Sequence, residues 1–202
     1  MKIGIVGSGQ VGGTVGKRWA AAGHTVAFGS RNPGTAEMRA LGAVPLPEAV
    51  AASDVVLVAT PWQATRGAIE QAGSFAGKIL IDATNPLAPR LEGLELGTTT
   101  SAAEQVAAWA PGAHVVKAFN TVGYNIMADP RFGQAAAVMF YCGDDPGAKK
   151  AVHGLAADLG FDPVDAGPLT QARVLEPFAL LWISLAYQAG LGREIGFQLL
   201  RR

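Results

Sequence analysis

The chain has 202 residues, of which 50% are hydrophobic and 16% are charged, so it is long enough for one well-packed domain and short for two. Lysine plus arginine and aspartate plus glutamate both number 16, and this zero net charge argues against nucleic acid as a partner, because no basic stripe offers itself to a phosphate backbone. The single cysteine excludes an internal disulfide, and no cluster of cysteine and histidine indicates a metal site.

The hydrophobic pattern alternates short β-branched runs with alanine-rich helical stretches, which indicates an α/β fold. Near-continuous apolar runs such as DVVLVAT and KILIDAT are typical of parallel strands that are covered on both faces. The first five predicted strands span 2–6, 25–28, 54–59, 78–82 and 114–118. The helices predicted in the same part of the chain span 10–22, 35–41, 47–52, 63–73 and 101–109.

The second half of the chain continues this alternation. Strands are predicted over 136–143 and 161–167, on either side of a helix over 146–159, and a long helix begins near Leu169. We therefore expect a Rossmann-type doubly wound parallel sheet with a small helical C-terminal extension. Residues 1–169 are predicted to form the Rossmann domain and residues 170–202 the extension.

The C-terminal extension contains the longest apolar run, PFALLWISLAYQAGLG over 177–192. The run is shorter than the roughly 20 residues that a bilayer crossing needs, so we expect no membrane partner. Because its helix is apolar around the circumference, something is expected to cover both faces, either a second copy of the chain or packing within one subunit. The opening MKIGIVGSG, a strand and a turn, leaves no room for a secretory signal, so a cytoplasmic protein is expected.

The segment GSGQVGG lies between the first predicted strand and the first helix. Gly7, Gly9 and Gly12 have the GxGxxG spacing of dinucleotide-binding turns, in the strand–turn–helix context that this motif requires. The first glycine permits a tight turn, the second lets the main chain approach a pyrophosphate, and the third lets helix and strand pack closely. The amides of residues 8–11 then lie at a helix N-terminus, which favours an anion, although a purely structural turn is the alternative.

The segment FGSRNP ends the second predicted strand, where an NAD enzyme carries an acid to bind the ribose hydroxyls. Here Ser30 and Arg31 occupy that region, and no acid occurs before Glu37. A hydroxyl and a planar guanidinium suit the 2′-phosphate of NADP, with Arg31 bonding or stacking and Ser30 donating. The other interpretation is an ordinary exposed arginine in a turn.

Polar and aromatic residues end the next three predicted strands, at the edge where this fold binds ligands. Pro61 and Trp62, which follow Thr60, are candidates for a wall beside the adenosine or the pyrophosphate. Asn85 and Asn120 end the fourth and fifth strands, from which they can reach the nicotinamide ribose or carboxamide. Each residue alone is as consistent with loop capping, but the set favours a neutral polar lining suited to nicotinamide.

No side chains at these strand ends form a Ser/His/Asp set or a pair of carboxylates. Lys117 and Asp82 lie near strand ends and are the remaining candidates for an acid or base. Hydride passing between NADP and a second redox ring needs little proton transfer from the protein. We therefore predict an NADP-dependent oxidoreductase with no assigned catalytic residue and a small-molecule redox substrate.

A set of motifs occurs in the order of one known family and spans nearly the whole chain: IGIVGSGQVGG, FGSRNP, ATPW, DATNPL, VVKAFNTVG, CGDD and DAGPL followed by AR and LEP. With this order and spacing the sequence resembles the F420-dependent NADP oxidoreductases and, more distantly, the cytosolic reductase domain of the membrane ferric reductases. The resemblance implies a Rossmann domain with a small C-terminal portion, working as a homodimer. It also implies reversible hydride transfer between the nicotinamide C4 and the C5 of a deazaflavin, coenzyme F420.

The resemblance also implies roles for individual residues. It places the pyrophosphate on Ser8, Gly9, Gln10 and Val11, and the 2′-phosphate on Ser30 and Arg31. Further cofactor contacts are implied for Thr60, Trp62, Asn85, Ala118 and Asn120. The C-terminal GREIGFQLL corresponds to part of the deazaflavin pocket, with Ile195 and Gly196 as substrate residues, although it also suits the end of an amphipathic helix.

The sequence leaves the electron acceptor open. Family members often carry a second basic residue a few positions after the Ser-Arg pair, where this chain has Gly34 and Thr35, so NADP is expected to bind more weakly or less exclusively. Three functions are consistent with the residues. They are hydride exchange between NADP(H) and coenzyme F420, NADPH-dependent reduction of a flavin or of a ferric complex through flavin, and a non-catalytic NADPH-binding sensor module.

Overall fold

The computed structural model describes residues 1–202. Its strands are β1 (Lys2–Val6), β2 (Thr25–Ser30), β3 (Val44–Pro45), β4 (Val55–Val58), β5 (Ile79–Asp82), β6 (His114–Lys117), β7 (Arg131–Phe132), β8 (Ala135–Ala136), β9 (Val138–Gly143) and β10 (Asp162–Asp165). Strands β7 and β8 form a separate two-stranded sheet. The other eight form one sheet in the order β10-β9-β6-β5-β4-β1-β2-β3.

Helices cover both faces of this sheet. They are α1 (Gln10–Ala21), α2 (Ala36–Ala40), α3 (Leu46–Ala51), α4 (Trp62–Ala72), α5 (Ala102–Trp109), α6 (Tyr124–Ala128), α7 (Pro146–Asp158) and α8 (Ala172–Ile183). One apolar core, around Ile5 and Leu57, packs against Trp19 of α1 and Leu155 of α7. A second core, on the other face, joins the sheet to α3, α4, α5 and α8. The predicted α/β Rossmann-type fold is therefore confirmed.

The sheet is not parallel throughout. Strands β1 to β6 run parallel, whereas β9 is antiparallel to β6 with Lys117 opposite Cys142. Between β6 and β9 lie only the five-residue α6 and the short β7–β8 pair, with no helix long enough for a parallel crossover. As a result, the first residues of β9 lie at the same edge of the sheet as the carboxyl ends of β1 to β6.

The C-terminal segment differs from its prediction. Helix α8 continues through a π-helical turn at Ser184–Gln188, but residues 189–202 have no regular structure, so GREIGFQLL does not end a helix. Gly190 and Gly192 take φ values of 73° and 74°, a left-handed conformation that terminates helices. The chain then returns to the sheet, where the Val138 amide donates to the Phe197 carbonyl at 2.8 Å. None of the helices combines the length and apolar character that crossing a bilayer requires.

Candidate functional site

The turn between β1 and α1 forms the floor of the site. Gly7 has φ 101°, and a Cβ there would lie 2.6 Å from the Ala59 carbonyl oxygen. A Cβ at Gly12 would lie 2.0 Å from the Gly7 carbonyl oxygen, so a side chain would push α1 away from β1. At Gly9 an added Cβ would meet nothing within 4 Å. The turn is thus closed towards the sheet and open on its outer face, where a ligand can approach the main chain.

Helix α1 begins at this open face without a side-chain cap, because its N-cap residue is Gly9. The first N–H groups of a helix have no partner inside the helix, and the macrodipole makes that end positive. No acidic residue lies in the first turn of α1, so nothing in the turn neutralises the field at Gln10 and Val11. This arrangement fits an anion of the size of a pyrophosphate.

A first cleft of about 320 Å³ opens where β1, β2 and β4 end. Six of the predicted site residues line it: Gly7, Ser8, Ser30, Arg31, Thr60 and Pro61. The Ser30 Oγ accepts a hydrogen bond from the Asn32 amide at 3.1 Å, which leaves its own proton available to donate. Arg31 is exposed and makes no ion pair in the protein. A hydroxyl donor and a guanidinium without an ion-pair partner therefore lie side by side in the cleft lining.

Glu37 also lines the first cleft, which sequence reasoning did not predict. Thr35 caps α2 by accepting from the Met38 amide at 3.3 Å, and this cap places Glu37 in the first turn of the helix. Its carboxylate is the only acid in the cleft lining. The capping residue Thr35 was the feature of the sequence that could have indicated the position of Glu37. A helix that begins at Thr35 places the next residues near the end of β2.

A second cleft of about 380 Å³ adjoins the first at Thr60 and Pro61, which line both. It is also lined by five other predicted site residues, Gly9, Gln10, Val11, Trp62 and Asn85. The Trp62 ring is stacked on Trp109 of α5, with ring centroids 5.2 Å apart and the planes inclined by 26°. Trp62 is therefore a fixed wall of the second cleft and does not line the first.

Asn85 and Asn120 are paired at the ends of β5 and β6. The Asn85 Nδ2 donates to the Asn120 carbonyl oxygen at 2.9 Å, and the Asn120 Nδ2 donates to the Asn85 Oδ1 at 3.1 Å. Asn85 lines the second cleft, whereas Asn120 is 5% exposed and lines neither cleft. Ala118 is fully buried. The structure thus puts Asn85 in the cleft wall and Asn120 directly behind it.

The residue between Ala118 and Asn120 has an unusual backbone. Phe119 has φ 61°, a left-handed conformation that is costly for a bulky residue. Its fully buried ring packs edge-on against Trp19, with centroids 5.5 Å apart. Sequence reasoning missed this turn, because VVKAFN has the apolar composition of a continuing strand.

Lys117 and Asp82, the remaining acid–base candidates, lie beneath the clefts. Both side chains are fully buried, and the Lys117 Nζ lies 2.9 Å from the Asp82 Oδ2 and 2.9 Å from the Glu176 Oε1. Burial opposes the charge of Lys117, but the two carboxylates outweigh it, so the pKa of this lysine is raised. A lysine that is held between two carboxylates and lines neither cleft is not placed to transfer a proton there.

Ile195 and Gly196 lie in the C-terminal segment beside β9. The Ile195 carbonyl accepts from the Trp182 Nε1 at 2.8 Å, and a Cβ at Gly196 would lie 2.9 Å from the Phe132 ring. Neither residue lines the two clefts described above. They lie at the same edge of the sheet, on the side of β9.

Comparisons with known proteins agree with this geometry. The family model described as "NADP oxidoreductase coenzyme F420-dependent" matches residues 2–86, which contain most of the lining of both clefts. The crystal structure of a "putative f420 dependent nadp-reductase" from Arthrobacter sp. FB24 superposes with a TM-score of 0.89 and 32% identity over 100% of both chains. That of the hypothetical protein SMa0349 from Sinorhizobium meliloti gives a TM-score of 0.72 and 32% identity over 85% of this chain and 88% of the other.

A curated relative adds a second comparison. Metalloreductase STEAP3 of Rattus norvegicus is 35% identical over 187 residues, which are 89% of this chain and 36% of that protein. This chain therefore spans little more than a third of the length of that metalloreductase. The match to the Arthrobacter structure over the entire chain and the family model over the dinucleotide turn together show that the protein belongs to the coenzyme F420-dependent NADP oxidoreductase family, as its motifs predicted.

Proposed function

We propose that the protein binds NADP(H) along the two adjoining clefts and transfers hydride between the nicotinamide and a deazaflavin, coenzyme F420. The observation that carries the NADP assignment is that Ser30 and Arg31 both line the first cleft and that the Arg31 guanidinium makes no ion pair in the protein. The family description and the name of the Arthrobacter relative support the deazaflavin as acceptor.

In this proposal the adenosine half occupies the first cleft. Arg31 and Ser30 hold the 2′-phosphate by charge-assisted hydrogen bonds. The open face of Gly9 and the amides of Gln10 and Val11 hold the pyrophosphate at the start of α1. Glu37 lines the same cleft, and its negative charge repels the phosphates of the cofactor. Because of this repulsion, the affinity for the cofactor should depend strongly on Arg31.

The nicotinamide half then occupies the second cleft. Bound NADP(H) supplies or accepts the hydride, so the task of the protein is to bind and orient. Trp62, Ala83 and Leu87 give this cleft walls without charge, and Asn85 offers an amide for hydrogen bonding. Such a lining can pack against a nicotinamide ring and bind its carboxamide.

A polyanionic acceptor tail would need basic residues near the second cleft, and most candidates are already engaged. Arg66 is paired with Glu70 at 2.9 Å and Arg173 with Glu104 at 2.6 Å. Arg131 is paired with Asp129 at 2.8 Å, and Arg193 lies over the Tyr124 ring at 4.3 Å. Arg90 remains exposed and unpaired, five residues after Asn85. We propose it as the residue that meets the tail.

A second candidate function is the reduction of a flavin, or of a ferric complex through flavin. The specific observation in its favour is the 35% identity to a protein named as a metalloreductase. Both functions use the same NADP(H) site and differ only in the acceptor. The match covers 36% of that protein, so the acceptor must be tested on this chain itself.

We also propose that the protein works as a homodimer, in which residues 170–202 contribute to the interface and to the acceptor pocket. Helix α8 buries Ala179 and Trp182, while Val174 and Leu181 on its other side are 60% and 47% exposed. Tyr187 and Leu191, which follow in the chain, are 55% and 60% exposed. Four large apolar side chains exposed in one segment favour a partner, and a second copy is the simplest one.

The acceptor can be tested with the purified protein by following NADPH oxidation with coenzyme F420 and, separately, with FMN. Turnover with the deazaflavin alone supports the proposed function, and turnover with FMN alone supports the second candidate. NADH serves as the matched control for the 2′-phosphate. Tight NADPH binding without oxidation by either acceptor would instead indicate a sensor module and contradict the proposal.

A further inference from the structure

Three charged side chains form a cluster beneath the second cleft, which we call the buried triad: Asp82, Lys117 and Glu176. Their side chains are at most 1% exposed, and Lys117 joins the two acids at 2.9 Å each. Desolvation costs make a buried ion cluster a weak source of net stability compared with apolar residues of similar volume. What such a cluster does supply is a fixed geometry among the elements that carry it.

The buried triad holds the main chain at the end of β5. The Asp82 Oδ1 accepts from the Thr84 amide at 2.9 Å, and the Lys117 Nζ donates to the Thr84 carbonyl oxygen. Both main-chain polar groups of Thr84 are therefore bound by the triad. Thr84 and Asn85 line the second cleft, so this contact sets the position of its wall.

Glu176 connects the same wall to the C-terminal helix α8. Its Oε2 accepts from the Ala102 amide at 2.9 Å and its Oε1 from the Ala103 amide at 3.2 Å, at the start of α5. These N–H groups offset the second carboxylate of the triad, since a helix N-terminus favours negative charge. The preceding carbonyl, of Leu175, accepts from the Asn120 Nδ2 at 3.2 Å. Two consecutive residues of α8 thus contact Lys117 and Asn120 at the end of β6, and these two in turn contact Thr84 and Asn85 after β5.

We infer that Glu176 is a positioning residue through which the C-terminal helix sets the geometry of the nicotinamide cleft. Through Lys117 it fixes Thr84, and beside it Leu175 fixes Asn120, which holds Asn85. Helix α8 then controls how the nicotinamide is oriented without contacting it. This inference rests on the proposed function, because it requires the second cleft to receive the nicotinamide.

The test is the Glu176→Gln variant, which keeps the side-chain shape and removes the charge that holds Lys117. Adenosine 2′,5′-bisphosphate probes the first cleft alone, and the fluorescence of bound NADPH reports the surroundings of its nicotinamide. We expect unchanged affinity for the bisphosphate, altered fluorescence of bound NADPH, and a kcat reduced about tenfold, since small misplacements of reacting groups are costly. The acceptor is whichever of coenzyme F420 and FMN the wild-type protein turns over.

The matched control is Glu104→Gln. Glu104 also joins α5 to α8, through Arg173 at 2.6 and 2.9 Å, but it contacts neither strand end. Its loss should lower the melting temperature without changing the NADPH fluorescence or kcat. If both variants alter the fluorescence and kcat alike, Glu176 merely docks the helix and the inference is wrong.

Two further outcomes separate the inference from the proposed function. Unchanged NADPH fluorescence and kcat in Glu176→Gln overturn the inference and leave the NADP(H) site standing, whereas wild-type protein that binds no NADPH overturns both. Should the glutamine variant fail to fold, Glu176→Asp draws the carboxylate back by one methylene and keeps its charge. We then expect the same changes to a smaller extent, and a wild-type spectrum and kcat would contradict the inference.

Discussion

Asn85 and Asn120 hold each other by two hydrogen bonds, of 2.9 and 3.1 Å, across the ends of two adjacent parallel strands. Only Asn85 lines the second cleft, and the Asn120 Nδ2 is shared between Asn85 and the Leu175 carbonyl of α8. The pair therefore links the proposed nicotinamide site to the C-terminal helix. Although Asn120 is almost completely buried, it can influence the orientation of a ligand in the second cleft because it holds the side chain of Asn85.

Replacing Asn85 by alanine should impair the nicotinamide half of the site and spare the adenosine half. The variant removes both hydrogen bonds of the pair and takes the Asn85 amide out of the cleft wall, so we expect kcat for NADPH oxidation to fall about tenfold. Affinity for adenosine 2′,5′-bisphosphate should be unchanged. The control is Gln63→Ala. Gln63 lines the same cleft, but its side chain contacts Leu87 and Glu95 instead of Asn120. Equal losses of bisphosphate binding and kcat would contradict this assignment.

Replacing Arg31 by alanine should weaken NADP binding by about 2 to 4 kcal/mol, the range expected when a charge-assisted contact is lost. NAD lacks the 2′-phosphate, so its affinity should barely change. Titration calorimetry with both dinucleotides measures the difference. Arg39→Ala is the matched control, because Arg39 lies on α2 close to the first cleft but does not line it. An equal loss of affinity for NADP and NAD would show that Arg31 does not read the phosphate.

Much of this candidate cofactor site could be predicted because its determinants are local. The glycine spacing, the strand before it and the Ser-Arg pair are all contiguous in the sequence, and β1 was predicted with its observed bounds. The Rossmann-type order then brings distant strand ends to one edge. Gly9, Arg31 and Thr60 line the clefts as a direct consequence of that topology.

The supporting residues depend on tertiary contacts that no local pattern encodes. Glu176 stands in an apolar helix, and its partners Lys117 and Ala102 are far away in the chain. The turn at Phe119 is adopted because its ring is held by Trp19, not because of a turn residue. The antiparallel direction of β9 was also unpredictable, since VMFYCG is apolar on both faces and suits either direction.

Replacing Arg90 by alanine should weaken the use of coenzyme F420 through its anionic tail. Arg90 is exposed, makes no ion pair and lies in the segment that follows Asn85, so we expect its loss to raise KM for coenzyme F420 several-fold with little change in kcat. A deazaflavin without the anionic tail should show the same KM with both proteins. The control is Arg66→Ala, because the Arg66 guanidinium is already paired with Glu70. A similar rise in KM for the tailless deazaflavin would contradict a role in tail binding.

Replacing Leu181 by glutamate should separate the proposed dimer into monomers. Leu181 is 47% exposed on the outer face of α8, so the new charge stays in water in a monomer but would be buried, unpaired, between two copies. Sedimentation equilibrium at several protein concentrations measures the shift from dimer to monomer. At concentrations where the wild-type protein is also monomeric, the melting temperatures of the two proteins should differ little. Ala157→Glu is the matched control, because Ala157 is exposed on α7, which packs on the other face of the sheet from α8. If the wild-type protein is monomeric at every concentration, the exposed face of α8 serves some other contact and the dimer proposal is wrong.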